Sequence, residues 1–222
     1  MSTSLEIISE EILDRIVSCL DSLPSLASLA RVTKRFNRIT LPHLYAHVSF
    51  TGGAIDMGTK NLRPFTVLLL QKPHLAALVK SITLRDSYAT GLLDRPFSEK
   101  PCWNDWPSDA DLESVFTAAV QAHGLPHEES KRWVELLLNG SNEAAILALL
   151  LPVLVNLHSM DIAFDREWDG EGEQESHFVM KMLQRAGEGV MVGGRPMFSK
   201  LADVIVPGRE DKYVSSRLCF ER

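Results

Sequence analysis

Cysteine is scarce in this chain. There are three, Cys19, Cys102 and Cys219, odd in number, far apart and in no metal-ligand spacing. That usage excludes a disulfide framework and suits a reducing compartment. A secretory leader is also missing, since Met1 to Glu6 has neither a basic start nor an apolar run. Long hydrophobic runs are absent as well: the longest, Ala144 to Val155, is interrupted by Pro152 and falls short of the roughly 20 residues that span a bilayer. Positive charge is in short supply, with 23 Lys and Arg against 29 Asp and Glu and a net charge of −6. This balance argues against general affinity for nucleic acid or anionic membrane. A cytoplasmic or nuclear protein, with no membrane and no nucleic acid among its partners, is the expectation.

Signatures of catalysis are missing too. No Gly-Lys-Ser/Thr phosphate loop and no Gly-x-Ser-x-Gly elbow occurs, and Gly187, Gly189, Gly193 and Gly194 do not fit a dinucleotide fingerprint. His43 and His47 stand four apart without the Glu that accompanies a zinc-binding pair, so packing or surface roles are expected for them. His123 and His127 are separated by Gly124 and Pro126, which denies them a shared helical face. The run from Asp165 to Glu173 imitates a calcium loop in its Gly170, but Ser176 replaces the closing Glu, leaving a solvated acidic loop. No catalytic residue, metal or cofactor is expected.

What is present is ample core material, with 45% hydrophobic and 23% charged residues. From Ser9, Ile12, Leu13, Ile16, Val17 and Leu20 recur at helical spacing and fall on one face. Ser9 is placed to cap that helix, with Glu10 and Glu11 in its first turn. A second short helix starts near Pro24 and carries Leu26, Leu29, Ala30 and Val32. A third, Thr33 to Leu41, turns Phe36 and Ile39 inward and Lys34, Arg35 and Arg38 outward, and Pro42 ends it. Three short helices expose more apolar surface than they can bury among themselves, and such a unit often completes its core on a partner. A helix-turn-helix DNA reader is a poor alternative, because five basic residues face five acidic ones in the first fifty.

The string Ile8-Ser9-Glu10-Glu11-Ile12-Leu13, then Ile16, Leu20, Leu26, Leu29, Val32 and Lys34-Arg35-Phe36, resembles an F-box. The following Leu41-Pro42-His43-Leu44-Tyr45 with Val48 and Phe50 is similar to the exit of fungal F-box proteins. The resemblance covers roughly residues 5–50, and departs from the family's usual Leu-Pro start at Ile8 and Ser9. It implies docking on the Skp-type adaptor of an SCF (cullin–RING) ubiquitin ligase through Ile8, Ile12, Leu13, Ile16, Leu20, Leu26, Leu29 and Phe36.

Beyond residue 50, a Gly52-Gly53 turn leads to a helix around Arg63–Gln71, with Phe65, Leu68, Leu69 and Leu70 inward. Pro73 to Leu84 ends in an alternating strand, Ala144 to Leu151 is a helix feeding a strand at Ser159–Phe164, and Met197–Leu201 leads into a third strand at Ala202–Pro207. Helix, leucine-bearing turn and short strand make the unit of an irregular leucine-rich repeat, and Pro73 to Leu84 is similar to a string in fungal F-box proteins. Helices are also expected at Leu112–Ala122 and Glu128–Leu138, the second with Trp133, Leu136 and Leu137 inward. Long loops are expected at about 88–111, carrying Trp103 and Trp106, and at about 165–176. The expectation is therefore α/β and helix-rich: a three-helix F-box over 5–50, then over 51–222 a short irregular leucine-rich-repeat-like solenoid with few short parallel strands. That second part would hold an unknown protein substrate. The short stretch after the last strand suggests a shortened version of a longer repeat protein. A protein-interaction scaffold outside any ligase is the alternative.

Overall fold

The structure, a computed structural model, describes residues 8–51, 62–85, 110–139, 143–162, 177–192 and 194–205. The Gly52-Gly53 turn, Trp103, Trp106, the acidic stretch 165–176 and the residues after 205 lie outside the described residues.

Three helices come first: α1 (Glu10–Ser18), α2 (Leu23–Leu29) and α3 (Lys34–Ala46). Two caps fix the later starts, Ser22 accepting from the Ser25 amide at 3.4 Å and Thr33 from the Phe36 amide at 3.1 Å. Asn37 of α3 donates to the Ala30 carbonyl at the end of α2 at 3.0 Å, satisfying a group the helix leaves open. Ser9 occupies the cap position of α1 but makes no side-chain bond there. Pro42, read from sequence as a terminator, lies inside α3. Proline removes one helical bond, yet the turn beyond it is held from both sides. Leu44 packs on the small core of the three helices, while Leu41 and Tyr45 pack on the large core that follows. Tertiary packing outweighs the local preference, and α3 becomes the rod that belongs to both cores.

From α3 the chain runs directly into β1 (His47–Thr51), and continues through α4 (Leu62–Gln71), α5 (Pro73–Ala76) and β2 (Ser81–Arg85). Next come α6 (Ala110–Gln121), α7 (His127–Asn139), α8 (Glu143–Leu150) with a 3-10 turn at Leu151–Val153, and β3 (Ser159–Ile162). Then follow α9 (His177–Gly187), the two-stranded hairpin of β4 (Met191–Val192) and β5 (Arg195–Pro196), and β6 (Asp203–Ile205). Ala110 and Asp111 thus begin α6 instead of ending a loop. The sheet has four parallel strands in the order β1-β2-β3-β6, one more than the sequence suggested. The extra strand is β1, which directly follows α3 in the sheet's register.

Register explains the two faces of this sheet. Val48, Ile82, Met160 and Val204 align in one row, and Phe50, Leu84 and Ile162 in another; all face the core. The alternate rows are His47, Ser81, Ser159 and Asp203, then Ser49, Thr83, Asp161 and Ile205, mostly short and polar. Each strand starts with the same backbone relay. The Lys80 amide donates to Ala46, the His158 and Ser159 amides donate to Lys80, and the Ala202 and Asp203 amides donate to His158. Asn156 reinforces the relay one turn earlier, donating to the Ala77 carbonyl at 2.5 Å and accepting from Lys200 Nζ at 2.6 Å. Replacing Asn156 with alanine is expected to cost about 1–3 kcal/mol in urea unfolding, since both bonds go and the Ala77 carbonyl loses that donor.

α8 is apolar on all sides, and Ala144 to Leu150 are all buried. Such a helix must be covered all round. It lies against α4, α9 and α7, and its side chains join the core that also holds the inner face of the sheet. The pair α6–α7 packs on this group through α4 and α8. Gly124, at φ +61°, takes the left-handed turn between those two helices that other residues resist. Arg63, itself buried on α4, donates to the Leu138 carbonyl of α7 at 2.9 Å and lies over the Phe116 ring of α6. Its long side chain ties three helices together.

Candidate docking site

The N-terminal helices are small enough that burial decides which of their apolar residues remain available. Leu13, Val17, Leu26, Phe36 and Ile39 form the core of the bundle, and Ile8, Leu20, Leu29 and Leu44 pack partly buried against it. α1 and α3 run side by side in the same sense, as three polar contacts in order show. Arg35 donates to the Ile8 carbonyl, Arg38 pairs with Glu10, and His43 Nε2 lies 2.8 Å from Asp14 Oδ1. Arg35 and Arg38, expected to face outward, therefore clasp the start of α1 with their ends while remaining wholly or partly exposed, and Lys34 is exposed as expected.

The apolar stripe of α1 divides along its length. Leu13 is 2% exposed and Val17 points the same way, whereas Ile12 and Ile16 are 54% and 50% exposed. At 100° per residue the five stripe positions spread over about 140°, and the two neighbouring short helices cover only half of it. The one apolar face read from sequence is thus divided, one half in the bundle core and one half open. Leu23, at the start of α2, and Val32, in the turn after it, are also exposed, at 54% and 62%. Val32 was expected to continue the inward pattern of α2, but α2 has ended before it, so helical spacing no longer governs its direction.

Of the eight residues that the family resemblance marked, Leu13, Leu26 and Phe36 are spent on the chain's own core. Ile12 and Ile16 are open, and Ile8, Leu20 and Leu29 are half-buried at its margin. Leu23 and Val32 were not singled out as open positions. The signal that finds them is their place at helix junctions, where a large apolar side chain has no periodic partner.

Elsewhere the expected chemistry is modest. His43 turns to Asp14 and His47 Nδ1 to Ser81 Oγ at 2.8 Å, so the two histidines engage different partners. Among the described residues no group of three or more His, Cys, Asp or Glu side chains is placed to hold a metal ion. No helix among them is long and apolar enough to cross a membrane. His123 is buried with its Nδ1 unmatched by any protein group, and burial, with Arg185 adding to it, lowers its pKa to about 4. Its ring lies tilted at 50° against that of Trp133, a residue of the large core, 5.0 Å between centroids.

No protein-family model matches the chain, and neither a curated protein nor a solved structure matches it significantly.

Proposed function

We propose that this chain is the substrate-receptor subunit of an SCF (cullin–RING) ubiquitin ligase, acting in the cytoplasm or nucleus. Its N-terminal helices dock as an F-box on the Skp-type adaptor. The helix–turn–strand units after them form an irregular leucine-rich-repeat-like surface for a protein substrate. One observation carries the reading. Among the described residues, the large exposed hydrophobics are Ile12, Ile16, Leu23, Val32, Met180 and Met191, and the first four belong to the small N-terminal bundle. A unit that buries its own core and still leaves four such side chains in water is built for contact. The docking set is then Ile12, Ile16, Leu23 and Val32, with Ile8, Leu20 and Leu29 at its edge, while Leu13, Leu26 and Phe36 act as the supporting core. The mechanism is proximity: the receptor raises the effective concentration of its substrate near the charged conjugating enzyme and makes or breaks no bond itself.

Co-purification with the Skp-type adaptor tests this. Burying an isoleucine fully is worth about 1.5–3 kcal/mol. The double substitution Ile12→Asp, Ile16→Asp should therefore weaken association by about 100-fold or more while circular dichroism and melting stay close to the parent's. Leu13→Asp is the contrasting variant: it places a charge in the bundle core and should melt that unit. A folded parent chain that fails to co-elute with the adaptor rules out the ligase reading and leaves a protein-interaction scaffold.

A further inference from the structure

Charge is unevenly spread along the chain, and the topology gathers one sign of it along one rim. The sheet strands β1, β2, β3 and β6 are reached through residues 42–46, 72–80, 151–158 and 197–202. None of these stretches contains Asp or Glu, in a chain that carries 29 of them. They contain Lys72, Lys80 and Lys200 instead, together with His74 and His158, while His43 in the first of them turns away to Asp14 of α1.

The backbone relay at the strand starts sets Lys80 and His158 side by side. The His158 amide donates to the Lys80 carbonyl at 2.7 Å, which places the two residues about one strand spacing, ~4.8 Å, apart. Lys200 reaches the same rim through Asn156, two residues before His158. Lys80, His158 and Lys200 are all exposed. Immediately inside the rim, Ser81 and Ser159 stand in one row of the polar face, with His47 bonded to Ser81. A single carboxylate, Asp203, closes that row at β6.

A cationic rim on a chain of net charge −6 is not a by-product of overall composition. The same contrast selects the ligand. A long polyanion such as nucleic acid meets the negative field of the whole chain. A short anionic segment feels mainly the charges within a Debye length of about 8–10 Å. Lysine ammonium groups and serine hydroxyls both donate to carboxylate and phosphomonoester oxygens.

We propose that this rim binds an acidic peptide segment of a partner protein, with Lys80, His158 and Lys200 holding its carboxylate or phosphomonoester groups. This rests on the reading of the C-terminal part as the surface for a protein substrate, and adds the chemistry of what that surface selects.

The test uses the full chain and three short fluorescein-labelled peptides: one rich in glutamate, one bearing phosphoserines at equal net charge, and one neutral. Fluorescence anisotropy should show binding of both anionic peptides, weakened by salt, and none of the neutral one. Lys80→Glu with Lys200→Glu should reduce affinity by about tenfold or more, whereas Lys131→Glu, at an exposed position on α7, should leave it nearly unchanged. A stronger grip on the phosphoserine peptide identifies the phosphomonoester as the ligand group, and equal affinities identify carboxylate charge; either supports the rim. The proposal is overturned by failure of both anionic peptides to bind at low salt. Equal losses from Lys131→Glu, or a single-stranded oligonucleotide of equal charge binding as tightly, overturn it too. Peptide binding needs no adaptor, so Ile12→Asp, Ile16→Asp should retain it. Failure of the parent chain to capture the adaptor, with its peptide binding intact, therefore counts against the ligase alone.

Discussion

Replacing Trp133 with alanine is expected to lower the stability of the chain by about 3–5 kcal/mol, close to the cost of the largest core truncations. Trp133 is fully buried. Its indole Nε1–H donates to the Ala145 carbonyl of α8 at 3.0 Å, and its ring lies 5.0 Å from His123 and 5.5 Å from Phe178. One side chain on α7 therefore touches the turn after α6, the buried helix α8 and α9. Alanine leaves a cavity among elements that cannot collapse together without shifting against the sheet. Trp133→Phe isolates the hydrogen bond from the volume: it keeps most of the ring contacts and should cost only about 1–2 kcal/mol. Urea unfolding of the two variants beside the parent measures both terms. A loss under about 1 kcal/mol for Trp133→Ala would mean that α6–α7 is not a coherent layer over α8.

The same region shows how far local pattern carries. Trp133 and Leu137 announce an inward face on α7 by their spacing, and Leu112, Phe116 and Val120 do so on α6; both helices stand where that spacing puts them. β2, β3 and β6 were legible from short alternating runs behind leucine-bearing turns. α9 was not among the expected helices, although Phe178, Val179, Met182 and Leu183 recur at helical spacing. They stand between an acidic stretch and a glycine-rich one, and such flanks suggest a loop. The hairpin β4–β5 is too short to show a period at all.

The docking face exposes a different limit. Helical spacing identifies an apolar stripe but not how much of it a neighbour covers, because coverage depends on the length and crossing of other helices. Ile12 and Leu13 are adjacent in sequence and equally apolar, yet one lies in the bundle core and the other in water. Pro42 failed as a stop signal for a related reason: Leu41, Leu44 and Tyr45, engaged with two separate cores, hold the chain helical past it. Both outcomes were decided by tertiary packing, which a single helical window does not contain.

Acidification should destabilise the chain through His123, whose titration its surroundings displace. Burial is the main cause of its depressed pKa, and the cationic Arg185, whose guanidinium donates to the His123 carbonyl at 2.7 Å, adds to it. Lys181 of α9 and Glu129 of α7 pair with each other. Trp133 and the apolar core offer no anion to an imidazolium. With a folded value near 4 against the ordinary 6.5, the unfolded chain binds the proton more readily than the folded one. Stability is therefore fully retained above about pH 6.5, falls as the pH drops from there toward 4, and levels off below. The whole loss from this group amounts to about 3 kcal/mol. Carboxylates elsewhere also respond to acid, so the informative quantity is the difference between the parent and His123→Phe, which keeps a ring against Trp133 and cannot titrate. Measured by urea unfolding at pH 7 and at pH 4, the variant should gain up to about 3 kcal/mol relative to the parent on acidification. A difference that does not change with pH would show that the imidazole is solvated or paired in solution, and that α6, α7 and α9 do not close over it as tightly as the structure describes.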